Sequence, residues 1–92
     1  MEFTFLMPCL NESETLEFAI NEAKSAIERL KLDAEILIAD NGSMDNSAEI
    51  AVKNGARVTN VEIRGYGSAL IGGIKAAKGK YIIAVRYSAL SA

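Results

Sequence analysis

The sequence predicts a three-layer α/β fold in which a mostly parallel sheet of four strands carries helices on both faces. β-prone and helix-periodic segments alternate three times along 92 residues, with short connections. Right-handed crossovers then make neighbouring strands parallel and distribute the helices over the two faces. Residues 35–39 are a continuous apolar run, typical of a strand buried on both faces. A chain of this length forms one domain at most, spanning residues 1–92.

The first strand is predicted at residues 3–7, a β-prone run that we expect Pro8 to end because proline has no amide hydrogen for a ladder. Asn11 followed by Glu14 has the spacing of a capping box and predicts the start of the first helix. Apolar residues then recur every three or four positions, which predicts an amphipathic helix. They are Leu16, Ile20, Ala23, Ile27 and Leu30.

The second strand, residues 35–39, leads into a polar loop that begins at Asp40. Asn46 with Glu49 repeats the capping pattern and predicts a second helix up to about Lys53. The sequence Asn54-Gly55 supplies the left-handed stop that helices favour.

Residues 57–61 and 81–85 are predicted as the third and fourth strands. The third helix lies between them and opens at Gly65-Tyr66-Gly67, with an apolar face predicted at Leu70, Ile74 and Ala77. Gly72-Gly73 inside this helix costs helix propensity and therefore predicts close packing against the sheet.

Composition excludes several classes of function. Ten basic and twelve acidic residues give a net charge of -2, so no nucleic acid or anionic membrane is expected as a partner. Apolar runs such as residues 81–85 are far shorter than the roughly 20 residues that cross a bilayer, so we expect a cytoplasmic chain without a membrane span. One cysteine and no histidine exclude an internal disulfide, a Cys/His zinc site and a histidine-dependent dyad.

Ligands of parallel α/β sheets bind beyond the carboxyl ends of the strands, which indicates the loops at residues 8–12 and 40–45 and, less directly, residues 86 onward. Asp40, Asn41, Gly42 and Ser43 make the second loop longer and more polar than a turn requires. A carboxylate there can accept a hydrogen bond from the ring N–H of uracil or guanine, and glycine permits close backbone approach. The same residue types also form turns and caps, so a local structural role is the alternative.

Two other segments favour a nucleotide. Pro8 fixes the backbone of the first loop, and Glu12 at a helix start either holds ribose hydroxyls or complements the helix dipole. Arg64 precedes Gly65 and a helix amino terminus, an arrangement suited to phosphate. The dinucleotide fingerprint fails, because Leu70 occupies its third glycine position.

Four motifs, in order and at the expected spacing, resemble the start of the family 2 glycosyltransferases, which have the GT-A fold. Within this family they are most similar to the dolichyl- or polyprenyl-phosphate sugar synthases. The resemblance implies the strand order 3-2-1-4. The resemblance covers residues 3 to about 84. Its motifs are Met7-Pro8-Cys9-Leu10-Asn11-Glu12, Ile38-Ala39-Asp40-Asn41-Gly42-Ser43 with Asp45 and Ser47, Arg64-Gly65-Tyr66-Gly67-Ser68-Ala69-Leu70, and Ala76-Ala77-Lys78-Gly79-Lys80-Tyr81.

This resemblance implies a donor that is a UDP- or GDP-sugar and an acceptor that is a polyprenyl phosphate or a similar compound. It implies that the first loop cradles base and ribose, that Asp40 reads the base, and that Arg64 lies near base or phosphate. The residues implied to bind the nucleotide are Pro8, Leu10, Glu12, Asp40, Asn41, Gly42, Ser43 and Arg64.

The chain departs from the family where an Asp-x-Asp motif should bind the Mg²⁺ or Mn²⁺ that bridges the diphosphate. Arg86, Tyr87 and Ser88 stand there instead, and none of them supplies the carboxylate that such a cation needs. We therefore expect no tightly held metal, no catalytic residue and no turnover by this chain alone. The chain would be the nucleotide-binding half of a longer transferase, for which membrane association stays open. The alternative is a non-catalytic nucleotide-binding or protein-interaction module.

The fourth strand lies inside a larger sheet in the family fold. An unpaired strand edge and an exposed apolar face both favour self-association. We therefore expect a homo-oligomer.

Overall fold

The computed structural model describes residues 1–85 and confirms the predicted fold class. Its strands are all parallel and lie in the order β3-β2-β1-β4. In chain order the elements are β1 (Phe3–Cys9), α1 (Ser13–Leu30), β2 (Ala34–Asp40), α2 (Ser47–Lys53), β3 (Arg57–Asn60), α3 (Tyr66–Ala76) and β4 (Tyr81–Ala84).

The helices form a layer on each side of the sheet. On one side α1 and α2 bury Leu16, Ile20 and Ala51 against alternate residues of β1 and β2, such as Met7 and Ile38. On the other side α3 packs on the opposite set of strand residues, in a smaller core of buried residues: Leu6, Leu37, Ala39 and Ala69. Both faces of the two central strands are therefore covered, which explains the continuous apolar run in β2.

Pro8 does not end the first strand, contrary to the prediction. β1 continues to Cys9, and Pro8 lies opposite Ala39 in the register with β2. The Cys9 carbonyl accepts from the Asn41 amide on the β2 side, so the backbone nitrogen of Pro8 points toward the β4 side. Its missing amide hydrogen breaks no ladder bond, because β4 pairs with β1 only as far as Leu6.

The other strand bounds differ from the prediction by one residue. β2 gains a residue at each end and includes Asp40, whereas β3 stops at Asn60 and β4 at Ala84.

Neither predicted capping box forms. Glu12, rather than Asn11, is the N-cap of α1, Asn46 is the N-cap of α2, and neither N-cap side chain bonds to its helix. Asn11 instead accepts a hydrogen bond from the Met44 amide at 2.7 Å, a contact to a distant loop. The Asn11 side chain, which the local pattern assigned to a helix cap, thus forms a tertiary hydrogen bond instead. The left-handed stop after α2 is confirmed, with Gly55 at φ 89°.

Two apolar faces differ from the helical pattern. Leu30, in the last turn of α1, is 59% exposed, so it is not part of the buried face of the helix. In α3 the buried positions are Ala69 and Gly73. Ile74 is 51% exposed, and Leu70 and the C-cap Ala77 are half-buried.

The predicted close packing at Gly72-Gly73 is confirmed and explains this choice of face. A β-carbon on Gly73 would overlap the Leu6 side chain, and one on Gly72 would lie 2.5 Å from a methyl group of Val61. The face of α3 with the smallest side chains, rather than its most apolar face, therefore makes the close contact with the sheet.

β4 is an edge strand within residues 1–85, and all four of its side chains are exposed. The helices of this described part are each too short or too polar to span a bilayer.

Candidate nucleotide site

The two polar loops meet at the carboxyl ends of β1 and β2, as the topology predicts. Cys9 and Asp40 end these strands as register partners. The loops are joined reciprocally, because the Asn11 amide donates to Ser43 Oγ at 2.9 Å and the Met44 amide donates to Asn11 Oδ1 at 2.7 Å. This pair of bonds explains the left-handed φ of 51° at Asn11, a residue type that tolerates that conformation.

Asp40 lies in the floor of the site with a fixed carboxylate. It is 6% exposed, and both of its oxygens accept from Ser43: Oδ2 from the amide at 3.3 Å and Oδ1 from the hydroxyl. A carboxylate offers about four lone-pair sites, so two bonds leave it able to accept another donor. Ser43 thus orients the group without saturating it.

Asn41 is buried at 5% exposure and points away from the loop surface. Its Nδ2 donates to the carbonyls of Val61 and Ile63, both at 2.9 Å, and its Oδ1 accepts from the Gly65 amide at 2.8 Å. The side-chain amide has two donor hydrogens, so both are used within the protein. Asn41 therefore joins the second loop to the segment that precedes α3.

Arg64 is brought against the second loop by that segment. A β-carbon built on Gly42 would lie 3.3 Å from both Nε and Nη2 of Arg64, so the guanidinium group lies over the Gly42 backbone. Gly42 has φ 96°, which glycine adopts without strain. Within residues 1–85 no acidic side chain forms an ion pair with Arg64, and its charge is therefore available to a phosphate.

The first loop contributes its predicted residues beside this pair. Pro8 is half-buried at the end of β1, and Leu10 is 40% exposed. Glu12 is half-buried, and its carbonyl accepts the amides of Thr15 and Leu16 at the start of α1. The structure thus brings all eight predicted residues to one end of the sheet, with Asn41 turned inward.

Asp45 belongs to the second sequence motif, but no site role was predicted for it. In the structure it connects the starts of two helices. Its carboxylate accepts from the Ser13 amide at 3.2 Å and from the amide and hydroxyl of Ser47 at 3.0 and 2.5 Å. The Ser47 hydroxyl is the main cause that holds the pKa of Asp45 below its usual 3.8. An Asp two residues before a Ser at a helix start is the signal that indicates this role.

The residues present do not fit a divalent cation. Within residues 1–85 no three acidic or thiol side chains come together. Asp45 is engaged by two helix starts, and Asp40 alone supplies too few oxygen ligands for such a cation. Residues 86–88, where the Asp-x-Asp motif is expected, lie outside the described residues and carry no carboxylate. We therefore assign no metal-dependent reaction step to these residues.

Comparison with known proteins identifies the family of this site. The family model described as Glycosyl transferase family 2 matches residues 4–85, nearly the whole chain. The chain belongs to glycosyltransferase family 2. Its sheet with the order 3-2-1-4 is the one found in the GT-A structures that it matches.

Several relatives share about a third of the aligned residues. A low-salt glycan biosynthesis hexosyltransferase of Haloferax volcanii is 36% identical over 77 residues, which are 84% of this chain and 18% of the relative. A poly-beta-1,6-N-acetyl-D-glucosamine synthase of Staphylococcus aureus is 40% identical over 86 residues, covering 87% and 20%. An undecaprenyl-phosphate 4-deoxy-4-formamido-L-arabinose transferase of Pseudomonas fluorescens is 31% identical over 87 residues, covering 87% and 26%.

A solved structure with the same architecture is glucosyl-3-phosphoglycerate synthase from Mycobacterium tuberculosis in complex with Mn²⁺, UDP and phosphoglyceric acid. It superposes with a TM-score of 0.80 at 28% identity, over 92% of this chain and 32% of that one. The chain therefore spans only about a fifth to a third of the length of the proteins it matches.

Proposed function

We propose that this chain is the nucleotide-sugar-binding portion of a glycosyltransferase that transfers a hexose from a UDP- or GDP-sugar to a polyprenyl phosphate or a similar acceptor. The observation that carries the proposal is the position of Asp40 and Arg64 at the same end of the parallel sheet. One is a fixed carboxylate at the end of β2, and the other is a cation held over Gly42, two residues further along the chain.

The chemistry of these two groups matches the two ends of a nucleoside diphosphate. Uracil and guanine each present a ring N–H that a carboxylate can accept, whereas adenine and cytosine lack this donor. The guanidinium group of Arg64 complements the diphosphate, and its fork geometry suits paired oxygens. The resemblance to structures that contain UDP or UDP-glucose supports a uridine donor.

The acceptor proposal has a separate basis. It follows from the four motifs and agrees with one relative named as an undecaprenyl-phosphate transferase. The matched structure is instead named for phosphoglycerate. Donor binding is therefore the part of the proposal that this chain can test directly.

The test is an NMR titration of the ¹⁵N-labelled chain with UDP, GDP and their sugars, with and without Mn²⁺. We expect shifts at residues 40–43 and 64, and a Kd that rises by about tenfold in Asp40→Asn, since a charged hydrogen bond contributes roughly 1.5–3 kcal/mol. Asp33→Asn is the matched control, because Asp33 is exposed and lies beside β2 at the opposite end of the sheet. Binding without transfer is expected, and the absence of any shift would reject the proposal.

A protein-interaction module is the second candidate. The edge strand β4 favours it, because within residues 1–85 no strand pairs with its outer side and its backbone groups there can pair with another chain. If the chain binds no nucleotide at any accessible concentration, the interaction module is the candidate that remains.

A further inference from the structure

The segment at residues 61–65 carries Arg64 to the site but contributes little burial of its own. Ile63 is 74% exposed, and Glu62, Arg64 and Gly65 are exposed as well. Val61 packs against the smaller core and holds the start of the segment. The exposed residues 62–65 have no such packing, so polar contacts must hold the part that carries the guanidinium group.

We propose that Asn41 is a positioning residue that sets the affinity for the donor's phosphates by holding Arg64 over Gly42. The inference deepens the proposed nucleotide site and depends on it. The side-chain amide of Asn41 is bonded to protein backbone, so its effect on the nucleotide would pass through the segment that contains Arg64.

Three hydrogen bonds from one buried side chain fix that segment on both sides of Arg64. Nδ2 of Asn41 holds the Val61 and Ile63 carbonyls, and Oδ1 holds the Gly65 amide. The residues bonded thus include both neighbours of Arg64 in the chain. A flexible segment would lose conformational entropy when a phosphate ordered it, and this fixed segment has already lost it on folding.

The backbone at Gly65 shows why such a tether is needed. Its φ of 120° lies where side chains are rarely tolerated, and a β-carbon there would meet nothing within 4 Å. Its amide donates to Asn41 Oδ1 at 2.8 Å, a contact that favours this conformation. The turn into α3, and with it the direction of Arg64, therefore depends on the Asn41 side chain.

A double-mutant cycle on the 92-residue chain tests the inference. Arg64→Ala and Asn41→Ala are each expected to raise the Kd for UDP by about tenfold, and the double variant should bind no more weakly than Arg64→Ala. Asn46→Ala is the matched control, since Asn46 is exposed and its side chain caps nothing. It should leave the Kd unchanged.

A measurement without nucleotide separates positioning from general destabilisation. In the wild type, NOEs are expected between the Arg64 side chain and the Gly42 α-protons, and they should vanish in Asn41→Ala while those of the β1–β2 core persist. If Asn41→Ala does not fold, the isosteric Asn41→Asp replaces it, because it keeps an acceptor for Gly65 but sets a carboxylate against two carbonyls.

The outcomes are distinct. NOEs retained in the variant, or effects of the two substitutions that multiply, overturn the role of Asn41 even when the wild type binds UDP. A wild type that binds no nucleotide rejects the proposed function, and the inference with it. Loss of the NOEs together with non-additive affinities supports both.

Discussion

Replacing Glu35 by glutamine should weaken the fold at the end of the sheet opposite the nucleotide site. The Glu35 side chain is only 9% exposed and joins four elements of the chain. Oε2 accepts from the Thr4 hydroxyl and the Lys78 amide, both at 2.7 Å, while Oε1 accepts from Arg57 Nε at 3.0 Å and lies 2.9 Å from its Nη2. It thereby ties β1, β3 and the start of the α3–β4 connection to β2.

The magnitude follows from these contacts. Glutamine keeps one oxygen, which can accept two of the four donors, and its amide group faces the other two. At about 1–1.5 kcal/mol for each donor that loses its acceptor, Glu35→Gln should lower the free energy of unfolding by about 2–3 kcal/mol at pH 7. For a domain of this size that corresponds to a fall in Tm of about 10–20 °C.

The loss should depend on pH with a definite sign. Burial alone raises the pKa of Glu35, but hydrogen bonds from the Lys78 amide, Thr4 and Arg57, together with the Arg57 charge, outweigh it and hold the pKa below the usual 4.5. A group with a lowered folded-state pKa contributes its stability above the unfolded value, and that contribution disappears as pH falls through the folded value. The difference between wild type and Glu35→Gln should therefore be full above about pH 4.5 and shrink below it.

Urea unfolding followed by circular dichroism at pH 7 and at pH 3 measures this difference. Glu22→Gln serves as the control, because Glu22 is exposed on α1 and pairs with no basic side chain within residues 1–85. A change below about 0.5 kcal/mol at pH 7, the level expected of an ordinary surface substitution, would refute the role assigned to the Glu35 contacts. An effect of equal size at both pH values would refute the electrostatic part.

Three further predictions concern packing, ionisation and assembly. Gly73→Ala should destabilise by about 1–3 kcal/mol in thermal unfolding through overlap with the core, whereas Gly67→Ala, with open space around it, should be neutral or stabilising. An NMR pH titration should give Asp45 a pKa below 3.8 that rises in Ser47→Ala, and an unchanged value would contradict the role of the serine hydroxyl. We propose that the edge strand β4, with its four exposed side chains, drives self-association. Light scattering should show a dimer or larger species, and Ile83→Lys should convert it to a monomer. A wild-type monomer at high concentration would count against this proposal.

Local patterns located the elements but not the partners of their polar ends. The Asn11–Glu14 and Asn46–Glu49 spacings correctly indicated helix starts, yet neither formed a capping box. Asn11 bonds to a loop more than thirty residues away. A capping side chain has several acceptors and donors within reach once the chain folds, and the sequence pattern contains only the nearest ones.

The sequence by itself determined the α/β class and the end of the sheet where the polar loops meet, while the strand order came from the resemblance of its motifs to a family. Hydrophobic periodicity, short connections and the handedness of crossovers are local or topological properties, so they are legible without coordinates. Only the tertiary structure decided which loop side chains point toward the nucleotide site. Asp40 and Asn41 are adjacent and similar in size, but successive side chains at a strand end point in opposite directions. One therefore lies in the floor of the site, while the other is turned into the segment that carries Arg64.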